Sequence, residues 1–166
     1  MDSRIYNDLV NFVSFLNERN ITYRIVGSIA LEVCGLPIGR EPGDIDVEVI
    51  ADSKVEDVFK ALEQLNKMAD GSVCVKDYPK GEYPYIFQFN RTKVNVFCKD
   101  KLSCEDVVIC NGMKFATVSD VLKKKMAYSR PKDYRDFMTI IENLTKFVTS
   151  NNKKIKEDDS REAESL

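Results

Sequence analysis

Residues Val26 to Val49 decide the fold of this chain, and their sequence is Val-Gly-Ser-Ile-Ala-Leu-Glu-Val-Cys-Gly-Leu-Pro-Ile-Gly-Arg-Glu-Pro-Gly-Asp-Ile-Asp-Val-Glu-Val. A Gly-Ser step follows an apolar segment and leads into good helix formers, which end where Gly35 and Pro37 block continuation. After Gly43 the sequence alternates acidic and apolar residues with the period of a strand. The stretch therefore predicts a strand, a tight turn, a short helix, a loop and a second strand.

The second strand carries three acids on one face, Asp44, Asp46 and Glu48. Carboxylates side by side on a strand repel each other unless water or cations separate them, and this arrangement holds Mg²⁺ against substrate phosphates in many proteins. The alternative is a pair of solvated acids on the polar face of an edge strand. The spacing alone is compatible with both interpretations.

The turn before the short helix adds a second polar feature. Gly27 lets an anion approach the backbone closely, and a helix that begins at Ser28 offers unpaired N–H groups to a phosphate. A capped turn without any ligand is the ordinary alternative. The position of this turn, one helix and one loop before the acidic pair, favours the phosphate interpretation.

The remaining chain reads as further helices and strands. Apolar spacing predicts helices over residues 5–16, 53–68 and 119–130 and from residue 132 onward, with Ser119 as the cap of the third. Strands are predicted over residues 22–26, 44–50, 72–75, 85–89, 93–98, 105–109 and 113–116. Tyr134, Phe137, Ile140, Ile141, Leu144, Phe147 and Val148 are expected on the buried face of the last helix.

Composition limits the class of protein. The 166 residues are 43% hydrophobic with a net charge of −2, which fits one domain over residues 1–150 and a charged, disordered tail over residues 151–166. The acidic balance argues against a surface built for nucleic acid, so no DNA readout is expected. No segment has the length and apolarity of a membrane span or signal peptide, which predicts a cytoplasmic protein without membrane contact.

The inventory of reactive side chains is narrow. The chain has five cysteines without a Cys-x-x-Cys pair, and it has no histidine. Zinc sites and the usual hydrolase triads are therefore disfavoured. Carboxylates, lysines, arginines and a hard cation remain as the means of catalysis.

Two blocks of sequence together resemble a known superfamily. Gly27-Ser28, Ala30-Leu31, Gly35, Arg40 and Asp44-Ile45-Asp46 are similar to the Gly-Ser, Arg and Asp-x-Asp core of the DNA polymerase β-like nucleotidyltransferases. The nearest branch is that of the small AbiEii-type bacterial nucleotidyltransferases. The segment from Phe115 to Asp136, which contains Lys125 and Lys132-Asp133-Tyr134-Arg135-Asp136, is similar to the C-terminal element of that branch.

The resemblance implies a fold and a chemistry. The fold is α+β, a mixed sheet with flanking helices and a C-terminal helical element. The implied reaction is attack of an acceptor hydroxyl on the α-phosphorus of a nucleoside triphosphate (NTP), with Mg²⁺ or Mn²⁺ as cofactor. Asp44 and Asp46 are the implied catalytic and metal-binding residues, and Gly27, Ser28, Arg40 and Lys125 the implied nucleotide-binding residues.

The sequence departs from the superfamily at one position. A third carboxylate is expected at the centre of Val94-Asn95-Val96, where this chain has a neutral amide. Asparagine is no general base and binds cations less strongly than a carboxylate. Either Asn95 marks a protein that binds nucleotide without turnover, or Glu48 substitutes, or two aspartates suffice with substrate phosphates completing the metal shell.

Further residues are accessory candidates. Arg130, Lys132 and Lys125 form the one concentrated basic region with Lys123, Lys124 and Arg135, which is either a solvated helix surface or a contact for triphosphate or RNA backbone. Asp133 and Asp136 would orient these cations or end a helix. Tyr83, Tyr85 and Phe87 alternate along a strand, where they would stack a base or pack the sheet.

Three functional hypotheses follow. The first is Mg²⁺-dependent transfer of a nucleotidyl group from an NTP to a protein, an RNA or a small-molecule acceptor. The second is a catalytically degenerate relative that binds nucleotide or a partner without turnover. The AbiEii resemblance adds a third, a toxin-like role on tRNA within a toxin–antitoxin pair.

Overall fold

The computed structural model describes residues 1–50, 56, 57, 60, 84–99 and 107–165, with the side chains of residues 147 and 155–165 excepted. Residues 56, 57 and 60 are helical, at positions where the sequence predicts a helix. The rest of that helix, the turn at residues 70–71, the strand over residues 72–75 and the loop over residues 78–83 lie outside the described residues.

The described residues form four helices and six strands. The elements are α1 (Ser3–Glu18), β1 (Tyr23–Val26), α2 (Gly27–Val33), β2 (Asp44–Ile50), β3 (Tyr85–Phe89), β4 (Thr92–Lys99), β5 (Val107–Cys110), β6 (Met113–Ala116), α3 (Val118–Tyr128) and α4 (Pro131–Ser165). The strands form one six-stranded sheet in the order β3-β4-β2-β1-β6-β5. The predicted mixed sheet with flanking helices is confirmed.

The sheet is mixed because its three inner pairings differ in direction. Strand β2 runs antiparallel to β1 and parallel to β4, while β1 runs parallel to β6. The parallel register places Asp46 opposite Asn95, and the antiparallel register places Val26 opposite Asp46. The acidic strand therefore lies in the interior of the sheet, not at an edge, and the predicted alternative of an edge strand is wrong.

Helix α1 covers one face of the sheet. Its side chains at helical spacing are buried, namely Ile5, Leu9, Phe12, Val13 and Leu16. The side chain of Asp2 caps its start by accepting a hydrogen bond from the backbone N–H of Arg4 at 2.8 Å. On its buried side, Asp8 accepts hydrogen bonds from Asn90 Nδ2 at 3.1 Å and from Thr92 Oγ1 at 2.5 Å, which joins α1 to the β3–β4 turn.

Two details of the C-terminal helices differ from the sequence prediction. Helix α3 begins one residue before Ser119, so Thr117 is the cap, and it accepts a hydrogen bond from the Asp120 N–H at 3.3 Å. Helix α4 runs to Ser165, so the helix continues through residues 151–165. After Pro131 the sequence contains no further glycine or proline to end the helix.

The buried face of α4 is narrower than its apolar pattern predicts. Ile140 is buried, whereas Ile141 and three other predicted core side chains, Tyr134, Leu144 and Val148, are exposed. The periodicity predicts that these side chains share one face of the helix, but the neighbouring elements cover only a narrow stripe of that face. Phe147 lies outside the described side chains.

No helix among the described residues is both long and apolar enough to cross a membrane.

Three cysteines of the described residues, Cys34, Cys98 and Cys110, are free thiols, and burial raises the pKa of Cys34 and Cys98. Cys74 and Cys104 lie outside the described residues.

Candidate active site

An amide sits between the two aspartates of β2. Asn95 Nδ2 donates a hydrogen bond to Asp46 Oδ1 at 2.7 Å and a longer one to Asp44 Oδ2 at 3.5 Å. Asn95 is buried, with 1% of its surface exposed, and its Oδ1 has no hydrogen-bond partner. The neighbouring strand β4 therefore delivers a polar side chain to the acidic pair, at the position where the superfamily pattern has a carboxylate.

The start of α2 faces the same pair. Gly27 has φ +71°, and a Cβ atom at that position would overlap the carboxylate of Asp46. The missing side chain leaves the space that Asp46 Oδ2 occupies, so glycine is required here both for its backbone angle and for its size. Gly27 thus leaves room for the Asp46 carboxylate, a role that the sequence did not indicate.

The environment of Asp46 disfavours its charged form. Burial raises the pKa of Asp46 and the neighbouring charge of Asp44 raises it further, while the Asn95 hydrogen bond and the positive charges of Lys132 and Lys125 oppose that rise. Lys93 Nζ lies 3.4 Å from Asp44 Oδ2, so the more exposed aspartate has a cation of its own. Positive charge near Asp46 would therefore stabilise its ionised form.

Across the cleft, the buried carboxylate of Asp136 forms hydrogen bonds with two cationic side chains. Asp136 accepts hydrogen bonds from Lys125 Nζ at 2.9 Å and from Arg40 at 3.1 Å (Nε) and 2.9 Å (Nη2). Lys125 is buried and also lies 3.4 Å from Ser28 Oγ. Side chains from the loop before β2 and from α2, α3 and α4 thus meet at one point. All four residues, Arg40, Ser28, Lys125 and Asp136, were predicted as site residues.

A second acid orders the adjoining arginine. Asp133 is buried and accepts a hydrogen bond from Arg130 Nε at 2.6 Å, and its Oδ1 lies 3.7 Å from Lys125 Nζ. Lys132 lies beside this pair, and partial desolvation together with the charge of Arg130 lowers its pKa. Of the two predicted roles for Asp133 and Asp136, the structure shows that of orienting cations.

The third acid of β2 has a different partner. Glu48 is buried, and it accepts hydrogen bonds from Arg24 Nε at 3.2 Å and Nη2 at 2.9 Å. Arg24 also donates to Asp120 Oδ2 at 2.9 Å. The guanidinium therefore engages Glu48, which makes this acid a weaker substitute for the missing carboxylate.

One open cleft holds about 760 Å³ of empty space including its mouth, and its lining includes Gly27, Ser28, Arg40, Asp44, Asp46, Glu48, Asn95, Lys125, Arg130 and Lys132. Several residues that line the cleft were not predicted as site residues from the sequence, namely Arg24, Phe97, Lys99, Asp120 and Tyr128. Phe97 and Lys99 could have been found, because they follow Asn95 at alternate positions of one strand. Tyr85 is exposed and Phe87 is buried in the core, while Tyr83 lies outside the described residues.

The acidic pair suits a hard divalent cation by its donor set. Asp44 and Asp46 offer carboxylate oxygens, and the unpartnered Asn95 Oδ1 would become a neutral oxygen donor if the amide rotated by half a turn. Within the described residues, no group of three or more His, Cys, Asp or Glu side chains is placed to hold a metal ion. The residues therefore fit Mg²⁺ with two charges rather than three, and further oxygens must come from water or substrate.

Comparison with solved structures identifies the fold. The chain matches a solution structure of the antibiotic-resistance factor ANT(2'')-Ia with a TM-score of 0.56, at 12% identity over 95% of this chain and 97% of that chain. It matches crystalline ANT(2'')-Ia in complex with adenylyl-2''-tobramycin with a TM-score of 0.52, at 14% identity over 86% of this chain and 88% of that chain. The chain has a nucleotidyltransferase fold.

A third structure is less similar. The antigenic nucleotidyltransferase-like protein from Paracoccidioides brasiliensis matches with a TM-score of 0.49, at 18% identity over 81% of this chain and 75% of that chain. No protein-family model and no curated protein match the sequence. The predicted nucleotidyltransferase fold is confirmed, while the AbiEii-type branch and the toxin–antitoxin role stay predictions.

Proposed function

We propose that this protein transfers a nucleotidyl group from an NTP to the hydroxyl of a protein, RNA or small-molecule acceptor, with Mg²⁺ or Mn²⁺ as cofactor. One observation carries the proposal: the carboxylates of Asp44 and Asp46 share a cleft with the cations ordered by Asp136. A triphosphate needs anion-binding groups at one end and metal-binding carboxylates near its α-phosphate. The nucleotidyltransferase fold supports the same conclusion.

The basic side chains would hold the triphosphate. Arg40 presents a planar guanidinium at the rim, and Lys125 presents an ammonium group next to the Ser28 hydroxyl. Arg130 and Lys132 line the same wall of the cleft. Since Asp133 and Asp136 already fix the geometry of Arg130, Arg40 and Lys125, little side-chain entropy is lost when phosphate binds.

The acidic pair would hold the cofactor. When bound at Asp44 and Asp46, the cation would supply positive charge to the phosphate oxygens. The transferred group passes to the acceptor oxygen as the bond to pyrophosphate breaks. Asn95 cannot accept the acceptor's proton, so that proton must leave through an aspartate, the substrate or water.

The direct test is pyrophosphate release with labelled NTP and Mg²⁺. We expect the wild-type protein to transfer label to an acceptor in a cellular extract. In the double variant Asp44→Ala plus Asp46→Ala, the rate of pyrophosphate release should fall at least about 10³-fold. Glu142→Ala removes an exposed acid of α4 and serves as the matched control. Activity that survives in the double variant would show that the acidic pair does not carry the reaction.

A second candidate function is nucleotide binding without turnover. The observation that favours it is the hydrogen bond of Asn95 to Asp46, which stabilises that carboxylate without any cation. This alternative predicts saturable NTP binding in calorimetry with no pyrophosphate release. Release by the wild-type protein with any acceptor would exclude it, and release gained only in Asn95→Asp would support it.

A further inference from the structure

Helix α4 carries an apolar stripe that its own chain leaves exposed. Five large side chains form this α4 stripe, namely Tyr134, Met138, Ile141, Leu144 and Val148. Their spacing of four, three, three and four residues keeps them on one side of the helix. Ile141 in the middle points about 100° away from Ile140, which is buried in the core. The part of the chain that the structure describes therefore leaves the α4 stripe uncovered.

The α4 stripe is large enough for a specific protein contact. Its side chains are 39–73% exposed. With about 200 Å² as the surface of a large side chain, the stripe exposes roughly 500 Å². Two such stripes packed together would bury about 1,000 Å², which is the lower limit for a specific interface. A contiguous apolar patch of this size is typical of an interaction site.

The residue types of the α4 stripe also suit an interface. The cores of protein interfaces are enriched in tyrosine and methionine and depleted of charged residues. The exposed charges in this part of α4, Arg135, Glu142 and Lys146, lie to one side of the stripe. The stripe itself is uncharged, so it can be buried without the cost of desolvating a charge.

The spacing of the α4 stripe is the same in both directions along the helix. Ile141 is the midpoint between Met138 and Leu144, and also between Tyr134 and Val148. Two antiparallel copies with a two-fold axis at Ile141 would place Tyr134 of one copy against Val148 of the other. Met138 would meet Leu144, and Ile141 would meet its own counterpart. A two-fold interface between identical chains requires such a self-complementary surface.

We infer that two copies of this chain associate through the α4 stripe, as antiparallel helices with a two-fold axis at Ile141. This self-association goes beyond the proposed nucleotidyl transfer and does not depend on it. Because the buried area is small, the dimer should dissociate at roughly 1–100 µM. The buried core, which includes Ile140, lies within one chain, so each copy folds without the other.

The first test is sedimentation equilibrium of the full chain over a range of concentrations. The wild-type protein should form dimers, and Ile141→Lys should raise the dissociation constant at least about 100-fold, because two positive charges would meet at the two-fold axis. Ile109→Lys changes an exposed isoleucine of β5 in the same way and should dimerise like the wild-type protein. Circular dichroism checks folding, and Met138→Lys takes the place of Ile141→Lys if that variant does not fold.

Cysteine cross-linking tests the direction of the pairing. The wild-type protein, which has five cysteines, gives the background under mild oxidation. Ile141→Cys should form a disulfide-linked dimer above that background, because the two-fold axis places this residue against itself. Tyr134→Cys alone should not, since its two copies would lie about 21 Å apart along the helices. A mixture of Tyr134→Cys and Val148→Cys should form the mixed disulfide.

Several results would overturn this pairing. One is a wild-type protein that stays monomeric up to about 500 µM, several times the upper end of the expected range. Another is a dimer that Ile109→Lys dissociates and Ile141→Lys does not, which would assign the contact to the edge of β5. Self-cross-linking of Tyr134→Cys without the mixed disulfide would contradict the antiparallel arrangement. None of these results bears on the nucleotide site, which pyrophosphate release tests separately.

Discussion

At the scale of single residues, the site depends on contacts that tolerate little change. Gly27 has a left-handed backbone, and the carboxylate of Asp46 fills the space where its side chain would be. Asn95 holds that same carboxylate from the neighbouring strand. The position of Asp46 is therefore fixed from two sides.

Gly27→Ala should be more damaging than Gly35→Ala. Both glycines have positive φ, so both variants incur backbone strain of about 1–2 kcal/mol. Only at position 27 does the new methyl group meet Asp46, which adds about 1–3 kcal/mol of overpacking and displaces the carboxylate. Urea unfolding and pyrophosphate release measure the two effects, and equal losses in both variants would contradict the proposed contact.

Asp46→Asn should stabilise the protein at neutral pH while abolishing turnover. Burial, with the charge of Asp44, raises the pKa of Asp46 above 3.8, so ionised Asp46 opposes folding at pH values above its folded pKa. The asparagine oxygen still accepts the Asn95 hydrogen bond. We expect a gain of about 1 kcal/mol in the free energy of unfolding at pH 7.

That gain has a defined pH dependence. Below pH 3.8 Asp46 is protonated in the folded and the unfolded state, so the stability difference between variant and wild type should vanish there. Calorimetric melting across the pH range provides the measurement. A variant that is less stable than wild type at pH 7 would show that the surroundings of Asp46 do not disfavour its ionised form.

At the scale of elements, the cleft is assembled by ion pairs between segments far apart in sequence. Asp136 at the start of α4 binds Lys125 of α3 and Arg40 of the loop before β2. The loop contributes little apolar packing at Arg40, whose side chain is 43% exposed. One carboxylate thus aligns the side chains of Lys125 and Arg40.

Asp136→Asn should destabilise the fold and misplace these cations. Lys125 is buried, and the loss of the nearer of its two carboxylate partners costs about 3 kcal/mol. Burial alone would raise the pKa of Asp136, but hydrogen bonds from Arg40 and Lys125 outweigh it and lower the pKa below 3.8. The contribution is therefore present above pH 3.8 and is lost as pH falls through the folded pKa.

Glu142→Gln provides the comparison for that variant, because it removes an exposed charge of the same helix. Its stability should stay within about 0.5 kcal/mol of the wild-type protein. Urea unfolding measures both, and calorimetry gives NTP affinity, which should fall only in Asp136→Asn. Equal stability of the two variants at pH 7 would contradict the role of Asp136 as a link between elements.

The same helix offers a test of its buried face. Ile140 is 1% exposed and Ile141 is 44% exposed, although they are adjacent and identical in type. Ile140→Ala should cost about 2–5 kcal/mol in the free energy of unfolding. Ile141→Ala should cost less than about 1 kcal/mol, and a reversed order would mean that α4 packs through a different face.

At the scale of the whole molecule, local patterns predicted the elements better than their partners. The alternation from Asp44 to Ile50 predicted β2 and its polar face, because strand period is a local property. The burial of β2 inside the sheet was not predictable, since its neighbour β4 lies more than 40 residues away in sequence. The pairing of Arg24 with Glu48 and Asp120 escaped prediction for the same reason.

The apolar pattern of α4 shows the opposite limit. The spacing from Tyr134 to Val148 correctly predicts a helix, yet it does not say how much of that helix its neighbours cover. The resemblance implied Gly27, Asp44, Asp46 and Lys125 as site residues, and the structure brings these four to one cleft, while their roles stay predictions. The position of Asn95 between the two aspartates could be recognised only from its hydrogen bonds in the structure.

The most direct test of the account is a crystal structure of the protein with Mg²⁺ and an α,β-methylene NTP. We expect a cation bound to Asp44 and Asp46, triphosphate oxygens in contact with Lys125 and Arg40, and the Asn95 amide turned away from its hydrogen bond to Asp46. Nucleotide bound outside this cleft, or bound in it while the Asn95 amide still bridges metal-free aspartates, would contradict the proposed metal-dependent transfer.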